Sequence, residues 1–366
     1  MQKKSVFFAL FPACSIFMLP YFENMIDKTQ LRYQKPAEVF FTDDISAEGV
    51  LKLYERVKFD NPGQVAIKLH FGEKGNKNFA SPKLSKGLAQ ATNATLVDSN
   101  VLYVGPRRYT DSHIALALEH GFDFAPICIL DGEQEIEIPV KGLKHYDSVR
   151  VGSHFPDFDS YIVFSHCTGH VMAGFGAAIK NVAMGMAAVG GKMAQHSSAI
   201  PLISEDKCIS CGECLDICPA EAITIDLVAV DPAKCIGCGK CIGVCPQQVY
   251  DVNWASTGST DFIERMVEYA KGLTDYKPMV FITVLASISP DCDCDGHARA
   301  PFVEDIGIIA STDIVAVDKA MFDIVTAKCE KANIFTDLHR NTDGRPQYLY
   351  GESLGMGTTN YKLVKI

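Results

Sequence analysis

Tryptophan occurs once in these 366 residues, and no run of lysine or arginine exceeds two. With 34 basic against 44 acidic residues, the chain carries −10 at pH 7. It lacks the positive field that a phosphate backbone requires, which excludes a nucleic-acid partner. Phosphate-cradling motifs are missing too. There is no P-loop, and Gly174-x-Gly176 is followed by Ile179 where a dinucleotide fingerprint needs a small residue. The uncharged stretch from Ser5 to Phe22 holds Pro12 and Pro20, which weaken it as a spanning helix. Lys3-Lys4 ahead of it, with Glu23 and Asp27 beyond, give the order of a leader or anchor, yet no small-x-small cleavage site and no twin-arginine pair stands there. Residues 1–36 therefore read as an extension outside the fold: a leader, an anchor or a mis-chosen start. Membrane contact is expected only if that extension is a real anchor, and the expected location is cytoplasmic.

What is present is cysteine, 14 residues of it. Cys208, Cys211 and Cys214 are followed by Cys218-Pro219; a shift of 27 maps this pattern onto Cys235, Cys238, Cys241 and Cys245-Pro246. This is the C-x2-C-x2-C-x3-C-P run of two-cluster bacterial ferredoxins, whose fourth cysteine ligates the other cluster. Three thiolates on a tightly turning loop can face three corners of one cubane, while the fourth, stopped by proline, points away. The spacing predicts one 4Fe–4S cluster on Cys208, Cys211, Cys214 and Cys245, and a second on Cys235, Cys238, Cys241 and Cys218. Zinc knuckles or a disulfide framework explain neither the third cysteine of each run nor the paired prolines. Fourteen thiols, eight of them assigned to iron, fit a reducing compartment. Seven acids against three lysines from Ser204 to Tyr250 offer an acidic face to a basic redox partner protein, as would any solvated surface.

Around this unit, short β-branched runs alternate with helical stretches. Glu38–Thr42, Gln64–His70, Thr95–Asp98, Tyr161–Ser165 and the apolar Met279–Leu285 read as strands. Ala47–Val57, capped by Ser46, and about Asp111–His120 read as helices. Ile306–Ala310 and Ile314–Val317 read as strands leading into a helix from Asp318. The alternation predicts an α/β fold, a largely parallel sheet with helices on both faces, interrupted by an inserted α+β ferredoxin-like domain. The expected division is an extension (1–36), a first α/β segment (37–203), the two-cluster domain (204–250) and a second α/β segment (251–366). Within the insert, Ala222–Asp226 and Val249–Val252 are expected to pair.

Two further segments carry chemistry. Asp291-Cys-Asp-Cys-Asp-Gly-His297 follows the Met279–Leu285 strand, where open α/β sheets place ligand sites. Cys292, Cys294 and His297 are candidate ligands of an additional zinc, iron or nickel ion, or the thiols are a redox dithiol. Adjacent acids are expected to raise both thiol pKa values. An acidic turn with unligated thiols is the simpler alternative. His166-Cys-Thr-Gly-His170 ends the Tyr161–Ser165 strand, and its histidines, four apart, could share a metal. Gly174 and Gly176 lead to a helix whose free amides, with Lys180, would suit an anionic cofactor or small-molecule substrate. Those glycines serve tight packing equally well. His166, His170 and Lys180 are the candidate catalytic residues. His70-Phe-Gly-Glu73 is another polar strand end.

At these residues the chain resembles a known family. Val65-Ala-Ile-Lys-Leu-His-Phe-Gly72, Gly169-His-x3-Gly-Phe-Gly176 with Lys180-Asn181, Asp291-Cys-Asp-Cys294 and Asp305-Ile-Gly-Ile-x-Ala-Ser-Thr-Asp313 match uncharacterised iron–sulfur proteins, an α/β domain of unknown function with an inserted two-cluster ferredoxin. The likeness covers residues 37–366. A fainter one, over residues 166–196, is to nickel-pincer lactate racemases: His170, Lys180 and His196 stand at their spacing. It implies Lys180 as anchor of a pyridinium cofactor, His196 as nickel ligand and His170 as base. The acid-and-arginine motif of those racemases is replaced here by His70-Phe-Gly-Glu73.

Three functions follow as expectations. The first is an iron–sulfur electron-transfer protein, possible as an oxidoreductase, whose clusters feed a redox or metal site in the α/β domain. The second is a plain electron carrier whose larger domain docks partners. The third is a racemase- or isomerase-like metal enzyme.

Overall fold

The computed structural model describes residues 35–196, 200–252, 258–340 and 342–366, so almost all of the 1–36 extension lies outside it. Eight strands form the central sheet: β1 (Ala37–Thr42), β2 (Val65–Lys68), β3 (Thr95–Asp98), β4 (Ile127–Ile129), β5 (Ser160–His166), β6 (Met279–Leu285), β7 (Gly307–Ser311) and β8 (Tyr361–Lys365). Their spatial order is β8-β1-β7-β6-β5-β2-β3-β4. Only β7 opposes its neighbours, β1 and β6; every other contact is parallel. The expected α/β class and largely parallel sheet are thus observed.

Helices cover both faces because the strands are apolar on both. In β5, Tyr161 and Val163 enter one core while Ile162 and Phe164 enter the other, as a period of two requires. Helices α1 (Ala47–Val57), α2 (Pro82–Thr92) and α3 (Thr110–Glu119) pack on one side. On the other lie α4 (Ala178–Met186), α5 (Val189–His196), α6 (Ser259–Tyr276), α7 (Ile314–Lys328) and α8 (Pro346–Ser353), of which α4, α6, α7 and α8 fill the second core. Each fully buried Leu, Ile or Phe contributes about 1.5–3 kcal/mol of transfer free energy. Ser46 caps α1 as expected, accepting from Gly49 N at 3.2 Å, and Val50, Leu53, Tyr54 and Val57 form its buried stripe.

Ile314–Val317 is not a strand. Asp313 accepts a hydrogen bond from Ala316 N at 2.8 Å and caps α7, which begins at Ile314. The β-branched residues read as strand are buried on the first turn of a core helix, where packing overrides propensity.

From β2 the chain steps outward through β3 and β4, then returns to the opposite side of β2 as β5. The switch point lies between β2 and β5, and the crevice beyond their carboxyl ends is where such sheets bind ligands.

The 200–252 segment gathers a separate apolar cluster that includes Ala222, Ile223, Ile242, Val249 and Tyr250. The two expected strands do not pair with each other. Ile223–Thr224 pairs with Ala229–Val230, and Tyr250–Asp251 with Leu202–Ile203. The 27-residue shift explains the exchange, since it carries Ile203↔Tyr250 onto Val230↔Ile223: each ladder joins one repeat to the other. Positive φ recurs at the same interval, at Ser210, Gly212 and Glu221 and again at Gly237, Gly239 and Gln248. The short helices Glu213–Ile217 and Lys240–Val244 obey it as well. No helix among the described residues is long and apolar enough to cross a membrane.

Candidate functional site

The eight repeat cysteines line two cavities in the crossed arrangement. Cys208, Cys211, Cys214 and Cys245 surround one; Cys218, Cys235, Cys238 and Cys241 surround the other. Each short helix ends one residue before Cys218 or Cys245, whose extended backbone turns the thiol from its own run. Amides of Ala222 and Val249 donate to Cys218 Sγ and Cys245 Sγ at 3.3 and 3.4 Å, and Tyr250 Oη donates to Cys214 Sγ at 3.4 Å. Such donors stabilise thiolate charge. Four thiolates on one tetrahedral zinc, with bonds of about 2.3 Å, stand about 3.8 Å apart. Among the described residues, none of these thiols belongs to a trio whose ligand atoms lie within 4.8 Å of one another.

This unit packs against the α/β body. Tyr109 Oη donates to Gly243 O at 3.0 Å, and Leu102 and Met193 share its apolar cluster. A Cβ at Gly239 would stand 3.2 Å from Leu102 Cδ1. The neighbours Val101 and Lys192 line a second site, so one layer of residues separates the two.

That site is a cavity of about 110 Å³ at the switch point, lined by Lys68, His70, Arg107, Lys180, Lys192 and Cys292 among others. Lys68 ends β2 fully buried, 3.1 Å from Asp98 Oδ1 at the end of β3, and donates to Asn181 Oδ1 at 2.7 Å. Gly185 leaves it room, since a Cβ there would lie 2.3 Å from Nζ. Arg107 reaches the other oxygen of Asp98 at 2.7 Å and His70 Nε2 at 2.6 Å. Burial pulls Lys68 below the usual lysine pKa by more than Asp98 restores, yet the short contacts to Asp98 and Asn181 are those of an ammonium. Burial, then Arg107, hold His70 neutral, well below the usual histidine value. Burial lowers Lys192 to about 8, and its Nζ donates to Ala187 O at 2.6 Å.

His166 and His170 diverge. His166 holds Asp293 through Nδ1 at 2.9 Å and Ala286 O through Nε2 at 2.7 Å, so neither nitrogen is available to a metal. Burial opposes its charge, but Asp293 and the carbonyl outweigh it and the pKa rises. His170 Nδ1 accepts from Met172 N and Ala173 N at 3.2 and 3.0 Å, which places the proton on Nε2. Burial and then Lys180 keep His170 neutral. Both His170 and His196 stack on Phe262, at centroid distances of 6.3 and 4.7 Å. Burial, Lys180 and Lys192 lower His196 to about 3. Of the trio picked out by the racemase resemblance, Lys180 lines the cavity, while His170 and His196 share the Phe262 ring.

The Asp291–His297 loop rises beside them. His297 does not join the thiols: it is exposed, and its amide donates to Asp295 Oδ1 at 2.8 Å. His170, Cys292 and Cys294 instead bring ligand atoms within 4.8 Å of one another, a group that could hold a metal ion. Lys180 Nζ sits 3.1 Å from Cys292 Sγ. The expected rise of both thiol pKa values is not what the surroundings produce. Cys292 is lowered, chiefly by its hydrogen bond with Cys294 and, against burial, by Lys180; Cys294 is raised because it keeps the shared proton. Asp293 acts on Cys292 in the expected direction but is overruled.

The glycine turn also differs from expectation. The first amides of α4, Ala178 N and Ile179 N, donate to Asp318 at 2.8 and 3.0 Å, so a buried carboxylate of the chain itself takes the place expected for a ligand anion. Gly174 has φ +79°, and a Cβ there would stand 2.5 Å from Gly344 N, a packing requirement. Gly176 does line the cavity. Sequence reasoning missed Asp98, Arg107, Lys192 and Asn76, whose Nδ2 fastens the loop through the carbonyls of Cys292, Asp293 and Asp295. The available signal was Lys68 itself, a charge closing an apolar buried strand.

A mostly parallel α/β sheet with a switch-point cavity and a cysteine-rich segment defines the class. The chain belongs to the family described as a domain of unknown function (DUF362), whose model matches residues 65–323. No curated protein matches it. Among solved structures it is similar to the lactate racemase apoprotein of Thermoanaerobacterium thermosaccharolyticum, at 11% identity and a TM-score of 0.37, over 76% of this chain and 55% of that one. It is also similar to a Thermotoga maritima structural-genomics protein, at 11% identity and a TM-score of 0.38, over 78% and 57%. The chain thus spans little more than half the length of either.

Proposed function

We propose that this chain is an iron–sulfur electron-transfer protein, carrying two 4Fe–4S clusters in a ferredoxin-type unit at 204–250 inserted between the α/β segments 37–203 and 251–366. Its clusters exchange electrons with the switch-point site. One observation carries the reading: eight cysteines sort into two cavities of four, each with three thiols from one run and the fourth from the other. The clusters would supply single electrons. The chain's own residues hold the thiolates, donate to their sulfurs and pack the unit one residue layer from the cavity.

A plain carrier has no need of that cavity. Lys68 and Arg107 share Asp98, while Lys180 meets a thiol and Lys192 a carbonyl, leaving net positive charge. The favoured small-molecule substrate is therefore an anion. The acidic cluster unit suits a basic redox partner protein, and the free thiols suit the cytoplasm. Anaerobic titration with dithionite tests the reading. About two electrons per chain should enter with cluster signals in electron paramagnetic resonance. A chain that takes up none, or shows no such signal, would refute it.

A further inference from the structure

We propose that Cys292 and Cys294 form a redox-active dithiol–disulfide couple at the edge of the switch-point cavity, a two-electron centre matched to two one-electron clusters. The inference deepens the electron-transfer reading and rests on it for the source of electrons. The geometry comes first. Asp295 N donates to Cys292 O at 2.9 Å, closing a turn that brings residues two apart into the Cα range a disulfide needs. The sulfurs lie within 4.8 Å of each other, and Cys294 N points at Cys292 Sγ at 3.4 Å. The loop is braced by Asn76, and by Arg299, which bonds both carboxylate oxygens of Asp291 at 2.7 Å. Cys292 faces the cavity.

The surroundings decide between a dithiol and a metal. The third candidate ligand, His170, spends its lone pair on backbone amides and presents an N–H. An ammonium stands 3.1 Å from Cys292 Sγ, and the cavity adds Lys68, Arg107 and Lys192 against the carboxylates of Asp98 and Asp293. A divalent cation would enter against that field, whereas a thiolate is stabilised by it. On reduction the S–S bond breaks as two electrons arrive, one from each cluster, and one proton is taken up. Cys292 is left as a thiolate beside Lys180 and Cys294 as a thiol. Reoxidation returns two electrons and releases the proton.

The tryptic peptide 272–299 contains only these two cysteines. The full chain, purified without oxygen, is exposed to diamide, alkylated with iodoacetamide and digested. The peptide should escape alkylation and be two hydrogens lighter, whereas the untreated chain gives it doubly alkylated. In the dithionite titration the diamide-treated chain should take up about four electrons rather than about two. A peptide still doubly alkylated after diamide overturns the couple. So does near-stoichiometric zinc, nickel or extra iron that Cys292→Ser releases. A disulfide in a chain devoid of labile sulfide would leave the couple standing and remove the cluster reading.

Discussion

Asp98→Asn is the sharpest perturbation of the switch-point site that leaves side-chain volume unchanged. Asp98 is 1% exposed, with Lys68 Nζ at 3.1 Å and Arg107 Nη2 at 2.7 Å. The amide leaves buried Lys68 without its counter-charge and Arg107 with only Glu73, 3.9 Å away, and turns an NH2 group towards one of the two cations. Breaking a buried pair in this way costs about 3–5 kcal/mol, which should appear as a lower urea midpoint by circular dichroism. Adding Arg107→Met should recover part of the loss, because one orphaned charge is removed with its partner. The pH dependence has a definite sign. Burial raises the pKa of Asp98, and Lys68, Arg107 and His113 more than reverse this, holding it well below the usual 3.8. Its contribution is therefore present above about pH 4 and is lost as pH falls towards the folded value. The wild-type advantage over Asp98→Asn should shrink through that acid window. A loss below about 1 kcal/mol at neutral pH would refute the charge accounting.

Other perturbations test other regions. Burial lifts Asp318 from 3.8 to about 7, against the amides of Ala178 and Ile179. The folded chain then keeps a proton that the unfolded chain has lost, so this group's contribution is full below about pH 4 and fades as pH rises to about 7. Asp318→Asn should remove that slope from urea midpoints taken across the range. Gly169→Ala would place a Cβ 2.1 Å from Pro290 O. It should cost about 1–3 kcal/mol and impair disulfide formation in peptide 272–299. Under the proposed crossed ligation, Cys218→Ser and Cys235→Ser are lesions of one cluster. Each alone, and both together, should lower iron from about eight to about four per chain; further loss in the double variant would contradict the assignment.

Much of the fold was legible because local and global signals agree in it. Met279–Leu285 is uniformly apolar and becomes a central strand buried on both faces, and Ser46 caps the helix its hydroxyl predicts. Ile314–Val317 misled, since a β-branched run on the first turn of a buried helix looks like a strand until Asp313 is seen to cap it. The cysteine repeat was legible because a 27-residue period survives in φ angles, helices and ladders alike. The switch-point site was legible only in pieces. Lys68, Asp98 and Lys180 come from distant segments: the β2–β3 pairing sets Asp98 beside Lys68, and the β2–β5 pairing brings in the segment that carries Lys180. His297 was nearest in sequence to the thiols, yet His170 is nearest in space, because Gly169 lets the 168–170 strand press against Pro290.

The central claim is that the eight repeat cysteines hold two 4Fe–4S clusters. The most direct test is iron and acid-labile sulfide per chain, measured on the full chain purified without oxygen and without a metal-affinity tag. The account predicts about eight of each. Stoichiometric zinc without labile sulfide, or a chain free of both iron and sulfide, would contradict it.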